Sequence, residues 1–298
     1  MTHERTAHGR THMTAKDFDP DAIKKRQQQD WDMVSTGWEK WWDVLERGAR
    51  PVSERLIALA GLEPGHRVLD IATGIGEPAL SAARAVAPSG TVLATDQAAG
   101  MLAIAERRAR TEGVENVSFR QADGESLHDV GEQFDAVLCR WGLMFFPMLD
   151  LALRNIHRHL DAGGRFAAAV WSTPDKVPSI SLSMNVAREL LQLPPPPPGM
   201  PNPFALADVE SLQQAFLAAG FSDVHYEVVQ VRFSVPSAET YTAFTRDVSA
   251  PLAAVCAELD EARRQEVWDA ITEAARAYAT AEGEIVMDNE AICIVGER

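Results

Sequence analysis

Between Arg67 and Trp171 short apolar runs alternate with amphipathic helical stretches, and this alternation leaves few folds open. Residues 67–73 (RVLDIAT) read as a buried strand, 76–87 as a helix with Pro78 in its first turn, and 91–96 (TVLATD) as a second strand. A second helix follows over 99–110, a third strand over 117–123 and a fourth over 134–141. A helix over 147–160 then stops at Asp161-Ala-Gly-Gly164, before a fifth strand over 165–171. Parallel neighbours need helical crossovers, so such a succession predicts an α/β fold, a doubly wound and mostly parallel sheet with helices on both faces.

The flanks complete the plan. Residues 21–60 predict an N-terminal helical cap in which Trp31, Val34, Trp38, Trp41, Trp42 and Leu45 share a face; Gly37 weakens its middle, so two shorter helices fit as well as one. The cofactor-binding core spans 61–172, and a helical and proline-rich insert spans 173–208, with a helix over 177–193 and an extended run at Pro194–Pro198. Residues 209–298 complete the sheet: a helix over 209–220, a long strand over 224–235, two or three helices within 236–282, and a closing strand over 290–297. The last two strands would pair antiparallel at one edge, which makes the sheet seven-stranded. The first 20 residues read as a flexible leader without the apolar stretch of a secretory signal.

Composition removes several function classes. The 298 residues carry a formal net charge of −15, which repels phosphate backbones and anionic membrane surfaces, so neither nucleic acid nor a membrane is the expected partner. The uncharged run from Leu190 to Ala207 is broken by prolines and cannot cross a bilayer as a helix. Cys139, Cys256 and Cys293 are too dispersed for a disulfide framework or a zinc pair, and a reducing cytoplasm fits them. His157 and His159, two apart on a helix, point away from each other, and no metal-binding set is expected.

The chemistry is concentrated in Val68-Leu-Asp70-Ile-Ala72-Thr73-Gly74-Ile-Gly76. A buried strand ends in an acid, then a small-residue turn leads to a helix N-terminus. Bare glycines let a ligand lie against the backbone, and the helix adds free N–H groups. The second strand ends in Asp96, about 20 residues on, where a carboxylate accepts ribose hydroxyls. The third ends in Asp123-Gly124, placed to accept from an adenine amino group. Together they outline a nucleoside pocket at the carboxyl edge of the sheet.

On these residues the chain resembles the class I S-adenosylmethionine-dependent methyltransferases, and within them the group akin to the ubiquinone/menaquinone C-methyltransferases. The resemblance covers about 60–172, and more loosely 209–235. Ala72 takes the first glycine slot of the family's acid-x-Gly-x-Gly-x-Gly motif, and Leu160-Asp-Ala-Gly-Gly-Arg-Phe matches its turn into strand five. The resemblance implies S-adenosyl-L-methionine as cofactor. Asp70, Ala72, Thr73, Gly74 and Gly76 would wrap its methionine part, with Arg140 nearby. Asp96 would hold the ribose, with Gln97 and Met101 beside the adenine, and Asp123, Gly124 and Glu125 would bind the adenine edge. It also implies a small-molecule methyl acceptor and a protein that works as a monomer or homodimer. A nicotinamide dinucleotide fold is the rival, since Gly74-x-Gly76-x-x-Ala79 and Asp96 fit its loose fingerprint. Against it stand Asp70 at a strand end that such folds keep apolar, and Asp123-Gly124, which has no role there.

Transfer from a sulfonium needs alignment and dryness more than a base. After strand four the chain reads Cys139-Arg140-Trp141-Gly142-Leu-Met144-Phe145-Phe146, without the Asn/Asp-Pro-Pro-aromatic motif of amide and adenine N-methyltransferases. Arg140 matches the Arg-Asn of the quinone enzymes, and Trp141 stands in place of the Asn. Arg140 either anchors an anionic or enolate oxygen of the acceptor or is a structural ion-pair residue. Trp141, Met144 and Phe145 would wall an apolar acceptor site, with Trp38 and Trp42 as lid residues from the cap. Tyr241, His128 and His225 are the possible bases, Tyr241 the one carried forward because it follows the last long strand. The expected reaction is C- or O-methylation of a phenol, quinol, polyketide or terpenoid. The alternative is a cofactor-binding enzyme of the same fold that transfers no methyl: a decarboxylase, hydroxylase or cyclase.

Overall fold

A computed structural model describes residues 19–128, 130–131, 133–195 and 199–298. Five parallel strands form its centre: β1 (Arg67–Ile71), β2 (Thr91–Asp96), β3 (Val117–Gln121), β4 (Phe134–Arg140) and β5 (Leu160–Trp171). Then come β6 (Ser222–Val235) and β7 (Ile285–Glu297), and the sheet order is β3-β2-β1-β4-β5-β7-β6. β7 runs antiparallel to both β5 and β6. The seven-stranded, mostly parallel α/β sheet read from the alternation is therefore the one observed. The closing strand is not the edge, however: it inserts between β5 and β6, and β6 takes the outside place.

The helices are α1 (Pro20–Lys40), α2 (Trp42–Leu59), α3 (Ala79–Val86), α4 (Ala99–Glu112), α5 (Leu149–His159), α6 (Pro178–Leu191) and α7 (Val209–Ala219). α8 (Ala238–Val248), α9 (Ala250–Ala257) and α10 (Glu261–Ala275) lie between the last two strands. Central strands are buried almost end to end, as expected where both sheet faces are covered. One face carries Leu69, Ile71, Val137 and Phe166 against Leu153 and Ile156 of α5 and Phe216 of α7. The other carries Val68, Ala136, Leu138 and Ala167 against Val52 and Leu56 of α2 and Ala82, Ala83 and Val86 of α3. A third cluster holds α8 and α10 together around Tyr241, Val267, Trp268 and Ile271.

Several boundaries differ from the sequence reading. The cap is two helices, but the break is at Trp41, whose indole Nε1 donates to Asp247 Oδ2 at 2.8 Å. Gly37 remains helical because α1 crosses α8 there: a Cβ would sit 2.0 Å from the Asp247 carbonyl oxygen. Asp19 caps α1, accepting from the N–H groups of Asp21 and Ala22. Pro78 precedes α3 as its N-cap residue instead of lying in its first turn. β5 begins at Leu160, five residues early, because Leu160 already pairs with Phe134 before a register shift. β7 likewise starts at Ile285, drawn out by pairing along β6 from Val235 onward. Residues 1–18 of the expected leader and 196–198 of the proline run lie outside the described residues. No helix among the described residues is long and apolar enough to cross a membrane.

Candidate active site

In the order β3-β2-β1-β4 the direction in which successive strands are added reverses between β1 and β4, and crevices at the carboxyl ends of such switch points are where open α/β sheets take ligands. Here the two turns touch. A Cβ on Gly142, just past β4, would stand 2.6 Å from Ala72 Cβ, just past β1. Ala72 and Trp141 both adopt left-handed backbone, φ 56° and 59°, a conformation uncommon outside glycine that re-aims the chain sharply at each strand end.

Within the β1 turn the two glycines have different work. A Cβ on Gly74 would meet nothing within 4 Å, so this residue faces open space. One on Gly76 would meet Ala105 and Leu80 at 3.3 Å, so that glycine serves the packing of α4 against the turn. Asp70 is fully buried, and neither of its carboxylate oxygens has a hydrogen-bond partner. Burial pushes it up to about 7, against the pull of the Arg140 charge and of the Thr73 hydroxyl, which lies near it without hydrogen-bond geometry. The buried Thr73 hydroxyl is also without a partner, while its N–H donates to the Thr95 carbonyl and ties the turn to β2.

Asp96 closes the other side of the turn. Its Oδ2 accepts from Gly74 N–H at 2.8 Å and its Oδ1 from Ala98 N–H at 2.9 Å. Burial still pushes it up to about 6. The Gln97 carbonyl accepts from the side chains of Gln28 and Gln121. Met101 packs in a cluster with Val34, Ile75, Ala98 and Ile104, against which Trp31, Trp38 and Trp42 lie. Past β3, Asp123 Oδ1 accepts from Glu125 N–H at 2.9 Å and Oδ2 from Lys24 Nζ at 2.8 Å. Gly124 has no room for a side chain, since a Cβ would be 2.6 Å from the Phe146 ring. Glu125 is buried; it accepts from Met148 N–H, and its own carbonyl accepts from Asn155. It braces the loop as much as it borders the cleft.

Of the two readings open for Arg140, the placement favours the ion pair. Its Nη1 donates to Ser53 Oγ at 2.7 Å and to Glu46 Oε2 at 3.2 Å, both from α2. Burial pushes Glu46 up, against the opposing pull of Arg140. Trp141 stacks on Trp171 with ring centroids 4.2 Å apart, and its indole Nε1 is buried without a partner. Met144 is buried, whereas Phe145 meets the edge of Trp31 at 5.4 Å. Trp31 in turn meets Trp38 at 5.7 Å, and Trp38 Nε1 donates to the Val248 carbonyl. Trp42 instead lies 3.3 Å beneath the Arg108 guanidinium.

Tyr241 corrects the sequence reading. It is fully buried among α8, α10 and Phe233, its hydroxyl donates to the Ser179 carbonyl at 3.0 Å, and burial pushes it up to about 12. A side chain so enclosed is a core residue and not a base. His225 is exposed on the edge strand, and Cys139 is a buried thiol pushed up to about 12. The sequence reading missed three polar residues of α1, namely Lys24, Gln28 and Asp32. Asp32 Oδ1 accepts from Gly100 N–H at 2.8 Å, and Gln28 and Lys24 reach the loops after β2 and β3. Their four-residue spacing beside Trp31 and Trp38 was the available signal: one polar stripe bordering one aromatic face.

Residues 68–164 match the family described as a methyltransferase domain. Among curated proteins, the ubiquinone/menaquinone biosynthesis C-methyltransferase UbiE of Pseudomonas putida is 34% identical over 166 residues, which are 55% of this chain and 65% of that protein. The chain thus spans somewhat less than two thirds of that relative. Among solved structures, the YcgJ protein from Bacillus subtilis superposes with a TM-score of 0.54 at 22% identity, covering 84% of this chain and 98% of that one. The [4+2]-cyclase SpnF gives 0.57 at 19% identity, covering 92% and 96%. Both are likenesses of fold.

Proposed function

We propose that this chain, whose residues 68–164 match a methyltransferase domain, uses S-adenosylmethionine to methylate a carbon or oxygen of a small, largely apolar metabolite of the phenol, quinol, polyketide or terpenoid class. The observation that carries the reading is the set of buried polar atoms at the β1 turn that the protein leaves unsatisfied: both Asp70 oxygens and the Thr73 hydroxyl, beside the open space at Gly74. Buried polar groups are paired almost everywhere in proteins, and an orphaned carboxylate is explained when a cationic ligand completes it.

The cofactor's residues divide by chemistry. Asp70, Ala72, Thr73, Gly74 and Gly76 would receive the charged amino-acid end. Each Asp96 oxygen keeps a lone pair beyond the backbone N–H it accepts, which suits two ribose hydroxyls. Gln97, Met101, Asp123, Gly124 and Glu125 would border the adenine. The bound cofactor supplies an electrophilic methyl group with its leaving group already attached. The protein's share is to align the acceptor and keep water out. Trp31, Trp38 and Phe145, with the stacked Trp141–Trp171 pair, support an apolar acceptor, and indole faces favour a neighbouring positive charge. Arg140, held by Glu46 and Ser53, would act as a fixed positive charge under this wall and not as a mobile anchor.

The test is calorimetric titration with S-adenosylhomocysteine, with NAD as control, followed by incubation of methyl-labelled cofactor with a panel of phenolic and isoprenoid acceptors. Binding of S-adenosylhomocysteine but not NAD, with label appearing in product, supports the reading. Binding of NAD alone overturns it. The likeness of fold to SpnF, a [4+2]-cyclase, gives the second reading its outcome: acceptor turnover without formation of S-adenosylhomocysteine.

A further inference from the structure

Helix α1 lays a polar stripe on the loops that border the adenine end of the cleft. Lys24 Nζ stands 2.8 Å from Asp123 Oδ2 and 3.2 Å from Glu125 Oε2. Gln28 donates to the Gln97 carbonyl at 3.0 Å, and Asp32 accepts from Gly100 N–H at 2.8 Å. Burial pulls the Lys24 ammonium down, but the two acids outweigh it and hold it well above the ordinary lysine range. Asp123 already holds one donor on each oxygen: Oδ1 accepts from Glu125 N–H within its own loop, and Oδ2 accepts from Lys24, whose charge contests any weaker donor there.

We propose that Lys24 is a built-in competitor for the amino group of the adenine ring, so that the cofactor binds only as Lys24 leaves Asp123 and the first turns of α1 loosen. The proposal rests on the reading that this cleft holds S-adenosylmethionine. The remainder of the helix is fixed independently. At Gly37 the backbone of α1 lies flush on the Asp247 carbonyl, and Trp38 and Trp41 donate to Val248 and Asp247. The helix therefore opens from its N-terminal end while its far end stays seated on α8.

The experiment compares the wild-type chain with Lys24→Met and Lys24→Arg, titrating S-adenosylhomocysteine by calorimetry and following amide exchange in residues 20–31 with and without it. Lys24→Met is expected to bind about 2–5-fold tighter, the worth of a partly exposed ion pair, and Lys24→Arg to bind as the wild type does. In the wild type the ligand should speed exchange in residues 20–31; in Lys24→Met exchange there should be fast already, while the sheet stays protected and reports a folded protein. Weaker binding by Lys24→Met would overturn the proposal and make Lys24 a clasp over the bound cofactor. Equal affinity with unchanged exchange would overturn it as well. If the wild type binds no S-adenosylhomocysteine, the cofactor reading itself fails, and that result is separate from the others.

Discussion

At the carboxyl edge of β1 and β4 the protein tolerates what it avoids in the insert between β6 and β7. Around the β1 and β4 turns, Asp70, Thr73 and Trp141 bury polar atoms without partners, and Ala72 and Trp141 take left-handed backbone at a cost on the order of 1–3 kcal/mol each. In the insert, polar groups are spoken for. The Tyr241 hydroxyl donates to the Ser179 carbonyl, and the Thr242 hydroxyl bonds Ala238 and Thr272. The hydroxyls of Thr245 and Thr280 are the exceptions, and no left-handed non-glycine residue lies in 224–298 among the described residues. Unmet hydrogen bonds gather at the β1 and β4 turns. The insert is built to be stable.

The contrast breaks if the two regions respond alike to substitution. Tyr241→Ala should be the largest loss, about 3–5 kcal/mol of stability in urea unfolding for removal of a buried aromatic, with S-adenosylhomocysteine affinity of the folded protein unchanged. If Tyr241→Ala unfolds the chain outright, Tyr241→Phe should cost about 1 kcal/mol, the net worth of its hydrogen bond. Asp96→Ala should act differently: circular dichroism close to the wild type, melting lowered as the Gly74 and Ala98 N–H groups lose their acceptor, and cofactor affinity of the folded protein lower by about 1.5–3 kcal/mol, the scale of hydrogen bonds to a charged group. Unchanged affinity in a folded Asp96→Ala protein would detach that acid from the ligand.

A pH series sharpens the same contrast. Burial pushes the folded Asp70 up to about 7 from its ordinary 3.8, so between those limits the folded state binds the extra proton. Its contribution is fully present below the unfolded value and is lost as pH rises through about 7. The ligand-free protein should therefore lose about 1–2 kcal/mol between pH 5 and pH 7, with Asp96 adding in the same direction, and Asp70→Asn should flatten the profile. The smallest effect belongs to Glu227→Gln, which breaks the exposed Arg55–Glu227 pair on the edge strand and should leave the urea-unfolding midpoint close to that of the wild type.

The sequence carried the cofactor edge better than the acceptor side, for a physical reason. Strand, turn and helix at Arg67–Val86 are consecutive, so their chemistry is local: Asp70, Gly74 and Asp96 fall on strand ends that periodicity locates. Tyr241 depended on which way a helix faces within an insert, and that is decided by contacts with Ser179 and Phe233 far away in the chain. Arg140 was left with two readings because Glu46 and Ser53 lie on the cap, whose position over the sheet no spacing rule states. Lys24, Gln28 and Asp32 were passed over since charged residues at helical intervals ordinarily face solvent. The place of β7 between β5 and β6 was equally out of reach, being a matter of pairing between distant segments.

One register pair has a consequence for engineering. Val235 and Ile285 are direct partners, so the chain leaves the sheet for α8 and returns from α10 through two neighbouring residues. The excursion is a cassette with a single doorway. A chimaera that exchanges everything beyond that doorway for another helical module leaves the ladder between β6 and β7 in register, and the loop-closure entropy changes slowly with module length. What such a swap must reproduce are the seats of the insert on its neighbours: the saddle at Asp247 on which Gly37 rides, and the bonds of Tyr241 and Arg263 to the Ser179 and Leu190 carbonyls of α6.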